Sequence, residues 1–205
     1  MKTNDLLRSS RLIVLLFAAV LIASCSDDDD APEEENEVEV FTDVTLMFTN
    51  TADASDVVMA RAQDPDGEGL QGLQILDAIT LATDTEYTLT YEILNALDPD
   101  DVEDIGDEIR EEDDEHQFFF SFTEGAFSSP TGNGNIDTAS DPLNYNDEDD
   151  NGDPVGLSTS WTTSSDATTG TFTVLLKHQP GVKTSTSGST DGDTDFDLEF
   201  VLNIE

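Results

Sequence analysis

The sequence predicts a mainly β protein, with two antiparallel sheets packed face to face as a sandwich of immunoglobulin-like size, one short helix, and a β-barrel as the alternative. Three observations predict it. Apolar and polar residues alternate with period two in about eight segments. Stretches rich in Gly, Asn, Asp, Ser and Pro separate those segments. The chain has 205 residues, 36% of them hydrophobic, which is enough for one core.

The chain opens with a different pattern. Lys2, Arg8 and Arg11 precede an apolar run from Leu12 to Ile22, the length of a signal-peptide core and short for a membrane span. Ile22-Ala23-Ser24-Cys25 ends the run with small residues before the only cysteine, and this resembles a bacterial lipobox. The resemblance implies cleavage after residue 24, a thioether lipid on Cys25 and an acylated new terminus, hence lasting membrane attachment through several acyl chains. Residues 1–24 are thus expected to be a lipoprotein signal peptide. Residues 25–37 carry Asp27 to Asp30 and Glu33 to Glu35 and are expected to form an acidic, disordered tether. The acidic tract resembles the one that follows the lipidated cysteine in Bacteroidota lipoproteins, where it directs export to the outer face of the outer membrane.

Residues 38–205 are expected to form one β-sandwich domain. Val38, Val40, Val44, Leu46 and Phe48 share one parity, with Glu39, Asp43 and Thr45 on the other. Residues 56–62 and 73–81 are weaker strand candidates. Tyr87 to Ile93 alternates cleanly with Glu86, Thr88, Thr90 and Glu92. Asp98 as cap, Pro99 at the first helical position and the stripe Val102, Ile105, Ile109 predict a helix from 99 to about 114. Phe118, Phe120 and Phe122 predict the next strand. Phe119, out of phase with them, is the one aromatic available as an exposed sugar platform, unless a second sheet packs on it. Val155 to Trp161, Phe172 to Leu176 and Phe196 to Ile204 complete the set. The long polar segment 123–154 is of the kind that is functional or held by a ligand.

The formal charge is −40. Removing residues 1–24 takes away three bases and one acid, leaving four bases against 46 acids. Such a surface repels nucleic acid and anionic headgroups and attracts cations. One cysteine excludes a disulfide scaffold.

Two metal candidates follow. Asp147, Asp149, Asn151 and Asp153 alternate in a D-x-D-x-N-G-D loop, where oxygen ligands on a tight turn suit calcium. Position twelve is Ser158 rather than Glu and no helices are expected beside it, so it is not an EF-hand; an acidic turn is the plain alternative. His116 and His178 each lie in phase with the apolar face of a strand, at ends that meet if those strands are antiparallel. With Asp113, Asp114 or Glu115 they could ligate zinc or another transition metal, or haem between two histidines; two rim histidines bonded to backbone or carboxylates are the plain reading. Asp64-Pro65-Asp66-Gly67-Glu68-Gly69 reads as a hairpin turn, and Asp191 to Asp197 as a solvated strand edge. No nucleophile elbow, zinc-protease motif or phosphate loop is present, so the chain is expected not to be an enzyme, with a glycan hydrolase using unrecognised carboxylates as an alternative.

Asp114-Glu115-His116-Gln117-Phe118-Phe119, the stretch from Tyr145 through Leu157, and Leu175-Leu176-Lys177-His178-Gln179-Pro180 are similar to a group of small Bacteroidota outer-membrane lipoproteins of unknown function. Members are often called type 1 periplasmic binding fold superfamily proteins. That fold needs two α/β lobes, which a strand-rich chain of this length does not offer. The resemblance implies a surface lipoprotein that accompanies a TonB-dependent receptor. Together the readings lead to an outer-membrane binding module for a divalent cation or a solute passed to a receptor. A structural or adhesive surface protein with calcium-stiffened loops is a further alternative.

Overall fold

The computed structural model of the chain describes residues 39–67 and 72–205. Residues 1–24, expected to be a signal peptide, residues 25–37, expected to be a lipidated tether, Val38 and Glu68-Gly69 lie outside the described residues.

The described body is a two-sheet, mainly antiparallel β structure with one short helix. The first sheet holds β1 (Asp43–Asn50), β2 (Val57–Gln63), β3 (Gln74–Ile75), β5 (Glu86–Asn95), β6 (Glu103–Asp104), β8 (Phe127–Ser129) and β9 (Thr159–Thr163). Its order is β3-β2-β1-β5-β9-β8, with β6 alongside β5, and it curls as a half-barrel. The second sheet has the order β4-β11-β10-β7, from β4 (Ile79–Leu81), β7 (His116–Phe122), β10 (Thr168–His178) and β11 (Asp193–Ile204). Among the described residues only β4 and β11 run parallel.

Period-two alternation sets the inner faces. Val44, Leu46 and Phe48 of β1, Leu89 of β5 and Phe172, Val174 and Leu176 of β10 are fully buried between the sheets. Trp161 sits at the centre, with Phe120, Phe122, Phe127 and Phe172 at ring centroid distances of 5.3, 5.5, 4.9 and 5.0 Å. Its indole N–H donates to Thr159 Oγ1 at 2.7 Å, so the ring is buried without an orphaned donor.

Several expectations change. The helix α1 spans Ile105–Glu111, not 99–114. Its cap is Asp104, whose side chain accepts the Asp107 N–H. Asp98 caps only a turn, accepting from Asp100, because Glu103 and Asp104 pair with β5 before the helix begins. Ile105 and Ile109 are buried as the stripe requires, whereas Val102 is exposed. The candidate at 73–81 is two short strands, β3 and β4, in different sheets. Strand β9 starts at Thr159. Val155 lies before it in a loop, buried, its carbonyl accepting the Phe118 N–H at 2.7 Å.

That loop explains Phe119. Strand β7 is an edge, and segment 133–156 covers it. Asn135 donates its backbone N–H to Phe120 O at 2.8 Å and accepts the Phe120 N–H on its side chain at 2.9 Å; the Tyr145 hydroxyl donates to Phe118 O at 2.6 Å. The edge is closed against further strands. Phe119 is fully buried, so it forms no sugar platform.

Candidate metal centre at the pole of the sandwich

His116 and His178 face each other across the β7–β10 ladder as a register pair, as antiparallel pairing requires. Their rings stack, 4.5 Å between centroids and 3° apart in plane. His116 is fully buried and His178 nearly so.

The orientation of His116 is fixed from behind. Its Nδ1 lies 3.1 Å from the backbone oxygen of Glu112, just past the end of α1. A carbonyl only accepts, so Nδ1 carries the hydrogen and Nε2 carries the lone pair. That lone pair points at carboxylates. Nε2 is 3.5 Å from Glu39 Oε1 and 4.0 Å from Asp195 Oδ2. One ligand atom from each of Glu39, His116 and Asp195 lies within 4.8 Å of the others. His116 Nε2, Glu39 Oε2 and Asp195 Oδ2 are all buried without a hydrogen-bond partner.

With both carboxyls ionised, three acceptors converge with no donor among them. Each is held toward its neutral form. Burial, with Asp195, Glu108 and Glu112 nearby, raises Glu39 to about 8. Burial raises Asp195 to about 6 against the pull of His178 and Lys177. Burial lowers His116 to about 4 against the Glu112 carbonyl. A proton on Glu39 or a cation between the three groups relieves the clash of lone pairs, and a divalent cation reverses all three shifts together.

Asp195 reaches this position through a β-bulge. Leu176 pairs with Phe196 and Lys177 with Thr194, so Asp195 is the extra residue on β11. The bulge re-aims its side chain. Strict alternation placed Asp195 on the wet face with Asp193 and Asp197, and the bulge overturns that for Asp195 alone. Glu39 was read on the outer parity of a first strand. The strand begins only at Asp43, and the preceding segment bends Glu39 against His116. No local sequence signal marks either residue as a ligand.

A second group, Glu112, His116 and His178, also has one ligand atom each within 4.8 Å. Stacked, parallel rings aim their in-plane lone pairs alongside each other, not at a common point, so His178 supports His116 without sharing a metal. The same stacking leaves no space for a haem between the rings. His178 Nε2 lies 3.2 Å from Glu115 Oε2. Of the three acids named as partners from sequence, Glu115 pairs with a histidine, Asp113 presents only its backbone oxygen to Lys183, and Asp114 joins neither group.

The 147–153 loop is built differently. Asp147 accepts the N–H groups of Gly156 and Ser158 at 2.9 and 3.2 Å. Asp149 Oδ1 accepts those of Asn151 and Asp153, both at 2.9 Å, and its Oδ2 pairs with Lys183 Nζ at 2.9 Å. Both side chains of that ion pair are 1% exposed. Burial acts to raise Asp149, but the Asp153 N–H and the Lys183 ammonium prevail and lower it. Burial raises Asp147. Asn151 and Asp153 present their backbone N–H groups to Asp149, and no acid of this loop belongs to either metal-sized group among the described residues. The ammonium of Lys183 stands where a loop of this sequence invites a cation. Asp64 likewise closes a turn, accepting the Asp66 N–H at 3.3 Å.

A cavity of about 420 Å³ opens onto the pole, with Glu39 and Asp195 on its wall. No protein-family model, no curated protein and no solved structure matches the chain.

Proposed function

We propose that the protein is a lipid-anchored binding module of the outer membrane that holds a divalent transition-metal cation, of which zinc is representative, at Glu39, His116 and Asp195. The observation that carries this reading is the convergence of three buried acceptors, one an imidazole whose other nitrogen is fixed by a backbone carbonyl. That arrangement of a metal-ligating histidine is general, since the outer hydrogen bond sets tautomer and direction. Two carboxylates and one imidazole suit zinc-like ions, and Glu39 and Asp195 also line the cavity. The neighbouring cavity supports binding and release over a purely structural role.

The anchor rests on the Cys25 motif, and delivery to a TonB-dependent receptor rests on the family resemblance. The calcium reading of the 147–153 loop is weaker, since backbone N–H groups satisfy Asp147, and backbone N–H groups with the Lys183 ammonium satisfy Asp149. Titration of the chelator-treated full chain with zinc and calcium, against sodium chloride of equal ionic strength, tests the proposal by thermal melting. Saturable stabilisation by zinc that Asp195→Asn weakens supports it, since a ligand that binds only the native state adds stability. Equal effects from zinc and salt refute it.

A further inference from the structure

A bare ion does not account for the cavity. Beside Glu39 and Asp195 its wall is formed by Phe41, Leu73, Phe196 and Leu198, with Asp64 and Asp197 also on it. Phe41 and Phe196 meet edge to face at 5.4 Å. The apolar wall is continuous with the two carboxylates, and behind them is the His116 lone pair, on a side chain that is 0% exposed and has no donor.

The geometry points to a second ligand class at this pole: a primary alkylammonium, its head among Glu39, His116 and Asp195 and its chain along the Phe41–Phe196 wall. A primary ammonium carries three N–H donors and no acceptor. The site offers three acceptors. Separations of 3.5 and 4.0 Å, with the third no more than 4.8 Å, admit a common point about 2.8 Å from all three, which the ammonium reaches when the buried side chains part to receive it. Asp195, and Glu39 once the ammonium displaces its proton, give charge-assisted bonds there. A chain of net charge −40 concentrates cations at its surface, which favours capture. A quaternary ammonium has the charge and the apolar body but no N–H, so it cannot satisfy the three acceptors.

The inference shares the site with the metal reading but stands or falls separately. The test uses metal-free full chain and isothermal titration with n-butylammonium, n-butyltrimethylammonium and sodium chloride. Saturable binding of the primary amine, at least about tenfold tighter than the quaternary one, is expected. Putrescine and Nα-acetyllysine methylamide separate a free diamine from a lysine side chain as the natural source; binding of either supports the primary ammonium. Glu39→Gln and Asp195→Asn should each weaken n-butylammonium about tenfold, and zinc should compete with it. Equal binding of the primary and quaternary amines, or a response no greater than that to salt, overturns the inference. Should either variant fail to fold, the comparison of the two amines on the unaltered chain decides alone. Amine binding without zinc binding removes the metal reading only; zinc binding without amine binding removes this inference only.

Discussion

At the scale of single residues, the pole of the sandwich makes a definite statement about pH. Glu39 sits at about 8 in the fold against 4.5 for an ordinary side chain. Between those values the folded state holds a proton that the unfolded state has released, so stability falls as pH rises. Asp195, at about 6 against 3.8, acts in the same direction over its own window. His116, at about 4 against 6.5, opposes both, because the unfolded imidazole protonates first as pH falls. Above about pH 7.5 Glu39 is the main one of the three still titrating. The metal-free protein should therefore lose stability from pH 6.5 to 8 in urea denaturation, and Glu39→Gln should flatten that slope. The Lys183–Asp149 pair gives a second expectation. Removing one partner of a buried pair typically destabilises by about 3–5 kcal/mol. Lys183→Met should fall near the low end, because Asp149 keeps its two backbone N–H donors. Equilibrium unfolding reads the difference directly.

At the scale of elements, the register of β10 and β11 positions the site. The turn that leads into β11 contains Gly192, at φ +69°, where an added Cβ would come within 2.1 Å of the His178 carbonyl oxygen. Gly192→Ala should therefore shift the start of β11 against His178. It should weaken zinc binding and destabilise by about 1–3 kcal/mol, the usual range for strained backbone; unchanged melting and binding would show that the turn plays no part in holding the site. The fold was largely legible because alternation is a local signal that burial of one face enforces. Val44-Leu46-Phe48 and Phe118-Phe120-Phe122 stand where period two put them. The meeting of His116 and His178 was legible as well, since it needed only antiparallel pairing. Glu39 and Asp195 were not. A bulge is one inserted residue whose position depends on the partner strand, and the approach of Glu39 depends on a segment that is not a strand. The helix was misplaced for a related reason: Asp98-Pro99 has every feature of a helix start, but pairing of Glu103 and Asp104 with β5 delays the helix to Ile105.

At the scale of the whole molecule, charge and core work against each other. The aromatic cluster around Trp161 is the centre of the core, and Trp161→Ala should destabilise by about 3–5 kcal/mol, measured by urea unfolding. Forty-seven acids against seven bases pull the other way, and any salt relieves part of that repulsion. Calcium should raise the melting temperature no further than matched ionic strength does, whereas zinc should saturate. Cys25→Ser should abolish lipid labelling and leave unprocessed precursor; continued labelling would overturn the proposed anchor.

The position of Glu39 has a mechanical consequence. It is the fourteenth residue after Cys25 and the first described residue of the body. If the proposed anchor at Cys25 holds, Glu39, which precedes β1 in the chain, lies between the anchor and the sheets. Glu39 approaches His116, and, two residues on, Phe41 packs against Phe196. A cation seated between Glu39, His116 and Asp195 would act as a rivet at the point of attachment. On that reading, force on the anchor and release of the ligand would both act through Glu39.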